Sequence, residues 1–202
     1  RPLDRVGNEV ARATSVVRYA PGSHFSPHIH AGGEEFVVLE GVFQDEHGDY
    51  PTGSYVRNPP QSSHTPGSDA GCVILVKLWQ FKPEDRTPVR LNINELASLP
   101  HSDVKGVSVI PLFNDKHEQV SVMDIQPNTS LEFVPEGGAE LFVLQGSVKE
   151  QQDTLLKHSW LRVPIGCLLS LKTTETSAKI WLKTGHLSDV KRQIQRVMEA
   201  TS

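Results

Sequence analysis

The sequence contains an internal repeat, and this repeat constrains the fold more than any other feature of the 202-residue chain. When the chain is shifted by 105 positions, two separate blocks of residues align at one offset, as Gly41 does with Gly146. The other identical pairs are Gly32, Gly33, Glu35 and Leu39 with Gly137, Gly138, Glu140 and Leu144, and Ser54, Arg57 and Pro59 with Ser159, Arg162 and Pro164. Because both blocks share the offset, we interpret the chain as two copies of one structural unit.

Both copies have the pattern of short strands separated by turns. Runs of β-branched and aromatic residues alternate with Gly, Pro, Asn and Asp, which favours strands over helices. Predicted strands are Ser15–Tyr19, Glu35–Leu39, Cys72–Trp79, Gln119–Ile125, Leu141–Leu144 and Ala178–Leu182. Strands at this spacing predict an all-β sandwich or barrel, and Asn94–Leu99 predicts one helical turn. The polar segment Lys82–Thr87 indicates a linker, so we predict an N-terminal barrel over residues 1–85 and a C-terminal barrel within residues 86–202.

A short helix is predicted at the C-terminus. Val190, Ile194, Val197 and Met198 recur at helical spacing and form one apolar stripe. Ser188 is a suitable N-cap for this helix. We assign the helix to the C-terminal barrel because it follows that barrel directly in the sequence.

The composition argues against several classes of function. The formal net charge is −4, whereas nucleic-acid-binding proteins usually present a basic face, so we expect no direct nucleic-acid partner. No apolar run approaches the roughly 20 residues of a membrane helix, and no signal peptide is visible, so we expect no membrane partner. The two cysteines, Cys72 and Cys167, predict reduced, buried thiols, and the expected location is therefore cytoplasmic.

Histidines cluster in the first copy at a spacing that suits a metal ion. Side chains two positions apart on a strand point to the same face, so His28 and His30 present their imidazoles side by side. A glycine-containing turn follows, and alternation on the next strand makes Glu34 the inward carboxylate and Glu35 a weaker candidate. His64, after a proline-rich turn, is the fourth candidate ligand. Imidazole and carboxylate ligands suit zinc, iron, manganese, nickel or copper.

The spacing of these residues resembles the cupin superfamily, whose motifs are G(x)5HxH(x)3–4E(x)6G and G(x)5PxG(x)2H(x)3N. The positions that match are Gly22, His28, His30, Glu34 and Gly41 in the first motif, and Gly53, Pro59 and His64 in the second. Gln61 replaces the usual glycine and Ser68 the usual asparagine, but neither position supplies a metal ligand. The resemblance implies a double-stranded β-helix, the jelly-roll barrel of cupins, duplicated in tandem and holding the metal inside its first copy.

A closer resemblance lies in and between the two motifs. Residues 32–51, 53–60 and 63–66 are similar to the cupin domain of the ChrR family of anti-sigma factors. This resemblance implies a bound zinc ion and a role in sensing oxidative stress in transcription control. Members of that family bind a sigma factor through an N-terminal helical module that carries a CxxC pair. The sequence has no CxxC, so we expect a sigma-factor partner only through that missing module.

The second copy has apolar residues at all four ligand positions. The residues aligned with the ligands are Phe133, Pro135, Ala139 and Leu169. We therefore predict one divalent metal ion per chain and a filled apolar core in the C-terminal barrel. A pocket for a small-molecule ligand in that barrel is the alternative.

Two functions remain open from the sequence alone. The first is a regulatory metal cupin, for which the ChrR resemblance implies zinc, with iron, manganese or nickel as alternatives. The second is an Fe(II)-dependent cupin dioxygenase that acts on a small diketone or aromatic ketone, which requires an open metal position and a substrate-sized cavity. His24 and Tyr55 are weaker candidates for residues beside the metal, since a loop and a strand core also explain them. A homodimer is a further expectation by analogy with barrels whose edge strands pair.

Overall fold

The computed structural model describes residues 1–201 and divides into two compact units. Unit 1 comprises Arg1–Glu95 together with the C-terminal segment that starts at Val190, and unit 2 comprises Leu96–Asp189. Antiparallel strands make up most of both units, so the predicted all-β class is confirmed. Within residues 1–201, no helix is long and apolar enough to cross a membrane.

Unit 1 is a curled antiparallel sheet with a small accessory sheet. Its strands are β1 (Pro2–Gly7), β2 (Ala11–Tyr19), β3 (Ser23–His24), β4 (His28–His30), β5 (Glu34–Asp45), β6 (Gly48–Pro51), β7 (Ser54–Asn58), β8 (Ser62–His64), β9 (Gly67–Ser68), β10 (Cys72–Leu78) and β11 (Val89–Asn92). The main order is β1-β2-β10-β5-β7-β11, with β6 and β9 also paired to β5 and β3 paired to β9. Strands β4 and β8 form the two-stranded accessory sheet. A 3-10 turn at Ile93–Glu95 overlaps the start of the predicted helical turn at Asn94–Leu99.

Unit 2 has the same kind of sheet. Its strands are β12 (Leu99–Pro100), β13 (Val107–Asn114), β14 (Gln119–Ile125), β15 (Ser130–Phe133), β16 (Ala139–Glu150), β17 (Asp153–Leu156), β18 (Trp160–Val163), β19 (Leu169–Lys172) and β20 (Ala178–Thr184). The order is β12-β13-β14-β20-β16-β19-β15, and β17 and β18 also pair with β16. A 3-10 turn at His186–Asp189 ends the unit.

The repeat seen in the sequence is present in the strands. Strands β16 and β17 begin and end 105 positions after β5 and β6. A β-bulge interrupts the pairing at Leu39 in β5 and at Leu144 in β16. Gly41 and Gly146 follow these bulges with φ angles of 72° and 70°, and a Cβ on either would clash with a carbonyl oxygen of the neighbouring strand. The predicted duplication is therefore confirmed, down to the bulge.

The C-terminal helix, α1, forms at Val190–Ala200 as predicted, and it packs against β1 and β2 of unit 1. The division at residues 85 and 86 placed this helix in the C-terminal barrel, so the observed packing differs from that assignment. The physical reason is a buried polar contact, because Arg12 Nε of β2 donates to Gln193 Oε1 at 2.7 Å. Val197 is buried as the apolar stripe predicts, whereas Met198 is exposed.

Candidate metal centre

The accessory sheet brings the predicted histidines together. In its antiparallel register His28 lies opposite His64, and His30 lies two register pairs further along β4, opposite Ser62 and on the same face as His28. The three imidazole rings lie 4.7–5.3 Å apart between centroids. One ring nitrogen from each residue falls within 4.8 Å of the others, and together they form a group that could hold a metal ion.

The turn before β5 carries Glu34 to the same point. Gly33 adopts a φ of 78°, and a Cβ there would press into the ring of Phe81, so the turn requires glycine. Glu34 Oε2 lies 3.3 Å from His30 Nε2 and 3.5 Å from His64 Nε2. The structure therefore assembles all four candidate ligands, with His28 exposed and the other three buried.

Hydrogen bonds on the far side of the rings orient two of the histidines. His28 Nδ1 donates to the carbonyl oxygen of Ser26 at 3.0 Å, and His64 Nδ1 donates to Asp45 Oδ2 at 3.2 Å. Since the Nδ1 atoms are held in this way, the Nε2 atoms are left as acceptors. This arrangement is typical of metal-ligating histidines.

The electrostatics of the cluster favour a cation. Burial raises the pKa of Glu34 despite the opposing effects of His64, Asn58 and His28. Burial, followed by the charges of His64 and His28, lowers the pKa of His30 to about 3, so its imidazole stays neutral over a wide pH range. A neutral imidazole and a carboxylate are the ligand forms that bind a metal ion.

The donor set fits a divalent ion. His30 Nε2 and His64 Nε2 are only 2.9 Å apart, and both approach the buried carboxylate of Glu34. Since the Nε2 atom of His64 is an acceptor, its 2.9 Å contact with His30 Nε2 requires either a proton on His30 Nε2 or a cation between the two nitrogens. An ion among them satisfies every lone pair and neutralises the buried carboxylate.

Glu35 has a different role from Glu34. It points to the opposite face of β5, where Tyr55 donates a 2.5 Å hydrogen bond to Glu35 Oε1 and Arg57 forms an ion pair with the same atom at 3.6 Å. Tyr55 is consequently a partner of Glu35 and does not reach the histidine cluster. His24 is an exposed loop-edge residue whose Nε2 lies 3.2 Å from Asp69 Oδ1.

Two departures from the cupin motif have structural explanations. Gln61 has a φ of 72°, which is the conformation that the usual glycine adopts without strain, and its amide still donates to the His30 carbonyl at 2.9 Å. Ser68 is fully buried and its hydroxyl donates to the Val42 carbonyl at 2.5 Å. Of the two cysteines predicted to be buried, Cys72 is buried but Cys167 is exposed.

Sequence reasoning missed two residues that contact the ligands. Asn58 Nδ2 donates to Glu34 Oε2 at 3.1 Å, and Asp45 accepts from His64. Strict alternation from Glu34 points Asp45 away from the cluster, but the bulge at Leu39 shifts the alternation by one residue. The only signal in the sequence was the glycine that follows the bulge, Gly41, which recurs at the same place in the second copy.

In unit 2 three of the four equivalent positions belong to an apolar core cluster, and the fourth, Pro135, is buried. Phe133 lies opposite Leu169, as His28 lies opposite His64 in unit 1, and both pack with Ala139. An open cavity of about 890 Å³ borders this cluster, and its lining includes Phe133 and Pro135 together with Val109 and Met123. This barrel therefore has both an apolar core and an open cavity, and Phe133 contributes to both.

The curled sheets have the cupin fold, and the clustered histidines form a candidate metal centre in its first copy. Residues 1–82 match the family described as the ChrR cupin-like domain, which confirms the resemblance over that range. No match was found among curated protein sequences.

Solved structures support the same fold. A candidate dioxygenase from Nostoc punctiforme is 15% identical and has a TM-score of 0.71, with 88% of this chain and 70% of that chain covered. A cupin 2 conserved barrel domain protein from Leptotrichia buccalis is 11% identical, with a TM-score of 0.60 and coverage of 90% and 87%. A variant of the salicylate 1,2-dioxygenase from Pseudoaminobacter salicylatoxidans is 12% identical, with a TM-score of 0.62 and coverage of 90% and 72%. At these identities the likeness establishes the cupin fold and leaves the activity open.

Proposed function

We propose that unit 1 binds one divalent metal ion through His28, His30, Glu34 and His64, and that the ion is zinc. The observation that carries this proposal is the approach of two imidazole Nε2 atoms to a buried carboxylate oxygen, at 3.3 and 3.5 Å. A divalent ion at this point neutralises the carboxylate and supplies a Lewis acid. The protein holds Glu34 in place through Asn58.

We further propose that this metal-loaded unit is a sensory domain in transcription control. The support is the match of residues 1–82 to the ChrR cupin-like family. Burial of three of the four donor residues is consistent with an ion that stabilises one state of the domain and is lost in another. In this proposal an oxidant such as singlet oxygen triggers the loss of the metal.

Metal content tests the ligand set directly. The protein is purified anaerobically without chelator, and bound metals are measured by plasma mass spectrometry. We expect about one zinc ion per chain, a content well below that for His64→Ala, and an unchanged content for Phe133→Ala, which alters the equivalent strand pair of unit 2. Full zinc occupancy in His64→Ala would contradict the ligand set.

An Fe(II)-dependent dioxygenase is the second candidate function. It is favoured by the exposure of His28, which leaves one side of the cluster open to solvent. Two structural neighbours are also described as a candidate dioxygenase and a salicylate 1,2-dioxygenase. The substrate class in this alternative is a small diketone or aromatic ketone.

One pair of measurements separates the two functions. Zinc-loaded protein is illuminated with a singlet-oxygen photosensitiser and zinc release is followed with a chromophoric chelator. Iron-loaded protein is assayed for oxygen uptake with diketones and phenolic ketones. Zinc release without oxygen uptake supports the sensor, whereas substrate-dependent oxygen uptake supports the enzyme and contradicts the sensor proposal.

A further inference from the structure

Asp45 lies at the end of β5, behind His64 as seen from the metal cluster. Its side chain is 1% exposed, and its Oδ2 atom accepts from His64 Nδ1 at 3.2 Å. The other oxygen, Oδ1, accepts from the His47 amide at 2.8 Å and from the Tyr50 hydroxyl at 3.2 Å. Burial alone raises the pKa of this carboxyl, but the hydrogen bonds from His64, His47 and Tyr50 lower it overall.

The contacts continue outward to a charged residue. Tyr50 is buried, and its hydroxyl oxygen accepts from Arg90 Nε at 3.0 Å. Arg90, on β11, is exposed, so a continuous path of hydrogen bonds runs from a surface guanidinium through Tyr50 and Asp45 to His64. None of these three residues belongs to the cupin motifs, and the path reaches Glu34 through His64.

We propose that Asp45, held by Tyr50 and Arg90, is a positioning residue that fixes the Nδ1–H tautomer of His64 and thereby sets the metal affinity of unit 1. The inference rests on the proposed metal-binding function. With Nδ1 donating to Asp45, the Nε2 lone pair of His64 faces the cluster and is available to an ion. The Phe43 ring, 5.8 Å from the His64 ring between centroids, limits rotation of the imidazole from the side.

The substitution Asp45→Asn provides a sharp test, because the backbone amide of His47 can only donate a hydrogen bond to the side chain at position 45. The Asn oxygen must face that amide, which turns the Asn NH2 group towards His64. His64 Nδ1 must then accept, and its proton moves to Nε2, where it points at the metal cluster. Asp45→Asn therefore reverses the tautomer while it changes the volume of the side chain very little.

The first measurement is the ¹⁵N chemical shifts of the His64 ring in metal-free protein. We expect Nδ1–H in the wild type and Nε2–H in Asp45→Asn. The second measurement is zinc affinity, by competition with a chromophoric chelator, where Asp45→Asn should bind about 10- to 100-fold more weakly. Tyr50→Phe removes one donor to Asp45 and should give a smaller loss.

The matched control is Asp49→Asn, an acid-to-amide change in the same hairpin whose carboxylate accepts from Gln44 and not from a histidine. It should leave both the tautomer and the zinc affinity unchanged. Circular dichroism melts exclude a general loss of fold, and Tyr50→Phe remains informative if Asp45→Asn does not fold.

The outcomes separate this inference from the proposal on which it rests. A wild-type protein that binds no metal contradicts the proposed function, while the tautomer measurement still decides the role of Asp45. An unchanged His64 tautomer in Asp45→Asn, or zinc binding as tight as in the wild type, overturns the inference.

Discussion

Metal binding favours the charged form of Glu34, whereas the stability of the metal-free protein favours the neutral form. Burial raises the pKa of Glu34 above its ordinary value of 4.5. Because the folded protein then binds the proton more tightly than the unfolded chain, the free energy of unfolding falls as the pH rises above about 4.5. A bound divalent ion reverses this effect because it favours the charged form.

Glu34→Gln should therefore raise the melting temperature of the metal-free protein at neutral pH, because it removes a buried charge and keeps a side chain that accepts from Asn58. The same change should abolish the increase in melting temperature that zinc produces in the wild type. Differential scanning calorimetry with and without zinc measures both effects.

Glu35→Gln is the control for this prediction. Glu35 receives a hydrogen bond from Tyr55 and pairs with Arg57, both buried, so its neutralisation should lower the melting temperature. If Glu34→Gln lowers the melting temperature as Glu35→Gln does, the assignment of Glu34 as a destabilising buried charge is wrong.

At the scale of the strand, β5 shows where sequence reasoning succeeds and where it stops. Alternation correctly predicts that Glu34, Phe36 and Val38 share a face, and Phe36 and Val38 do pack in one core cluster. Beyond the bulge at Leu39 the same cluster contains Phe43, an odd-numbered residue. A bulge depends on pairing with a distant strand, so local alternation cannot reveal it, and Asp45 was missed for this reason.

Substitution of the bulge glycines should be costly in both units. Gly41→Ala and Gly146→Ala each place a Cβ against a carbonyl oxygen at a positive φ, and we expect each to lower the free energy of unfolding by about 2 kcal/mol or more. Gly22→Ala is the control, since its φ is 74° but nothing lies within 4 Å of the added Cβ. Urea denaturation measures all three.

The two bulge substitutions should differ in their effect on the metal. Gly41→Ala disturbs the strand that carries both Glu34 and Asp45, so it should weaken zinc binding, whereas Gly146→Ala should not. Equal zinc affinity in the two variants would show that the bulge of β5 has no part in forming the site.

Helix α1 is held to unit 1 by a buried glutamine as well as by its apolar stripe. Gln193 accepts from Arg12 at 2.7 Å and donates to the Gln80 carbonyl at 3.0 Å. Gln193→Ala leaves these buried groups unsatisfied and should lower the free energy of unfolding of unit 1 by about 2 kcal/mol. Gln195→Ala, on the exposed side of the same helix, should change it by less than about 0.5 kcal/mol. Similar losses in chemical denaturation would contradict this packing role.

For the whole molecule, the sequence was sufficient for the duplication, the fold class and the three histidines that meet beside Glu34. These features follow from local spacing and from the repeat. For example, the repeat aligns His28 with the apolar residue Phe133, which predicts that only the first copy holds a metal ion. The packing partner of α1 was not predictable in the same way. Its apolar stripe shows that Val197 is buried, but the partner is a polar group on β2, Arg12, that lies far away in the sequence.

Acid should destabilise the metal-free protein through His30. Its pKa is lowered from 6.5 to about 3 by burial and by the neighbouring histidines. The unfolded chain therefore binds a proton that the folded protein does not, and the free energy of unfolding falls as the pH drops from 6.5 towards 3. Urea denaturation of metal-free protein at several pH values should show this slope in the wild type and a shallower slope in His30→Gln. Equal slopes would contradict the assignment.

The division of unit 1 into two sequence segments has a consequence for synthesis on the ribosome. Its first segment ends at Glu95 and its helix starts at Val190, with the 94 residues Leu96–Asp189 between them. At about 5–20 residues per second, translation of the helix begins about 5–20 s after the first segment of unit 1 is complete. Unit 2, continuous in sequence, can therefore be finished first, and the nascent histidine-bearing unit waits for α1 before the face that β1 and β2 present to this helix is covered.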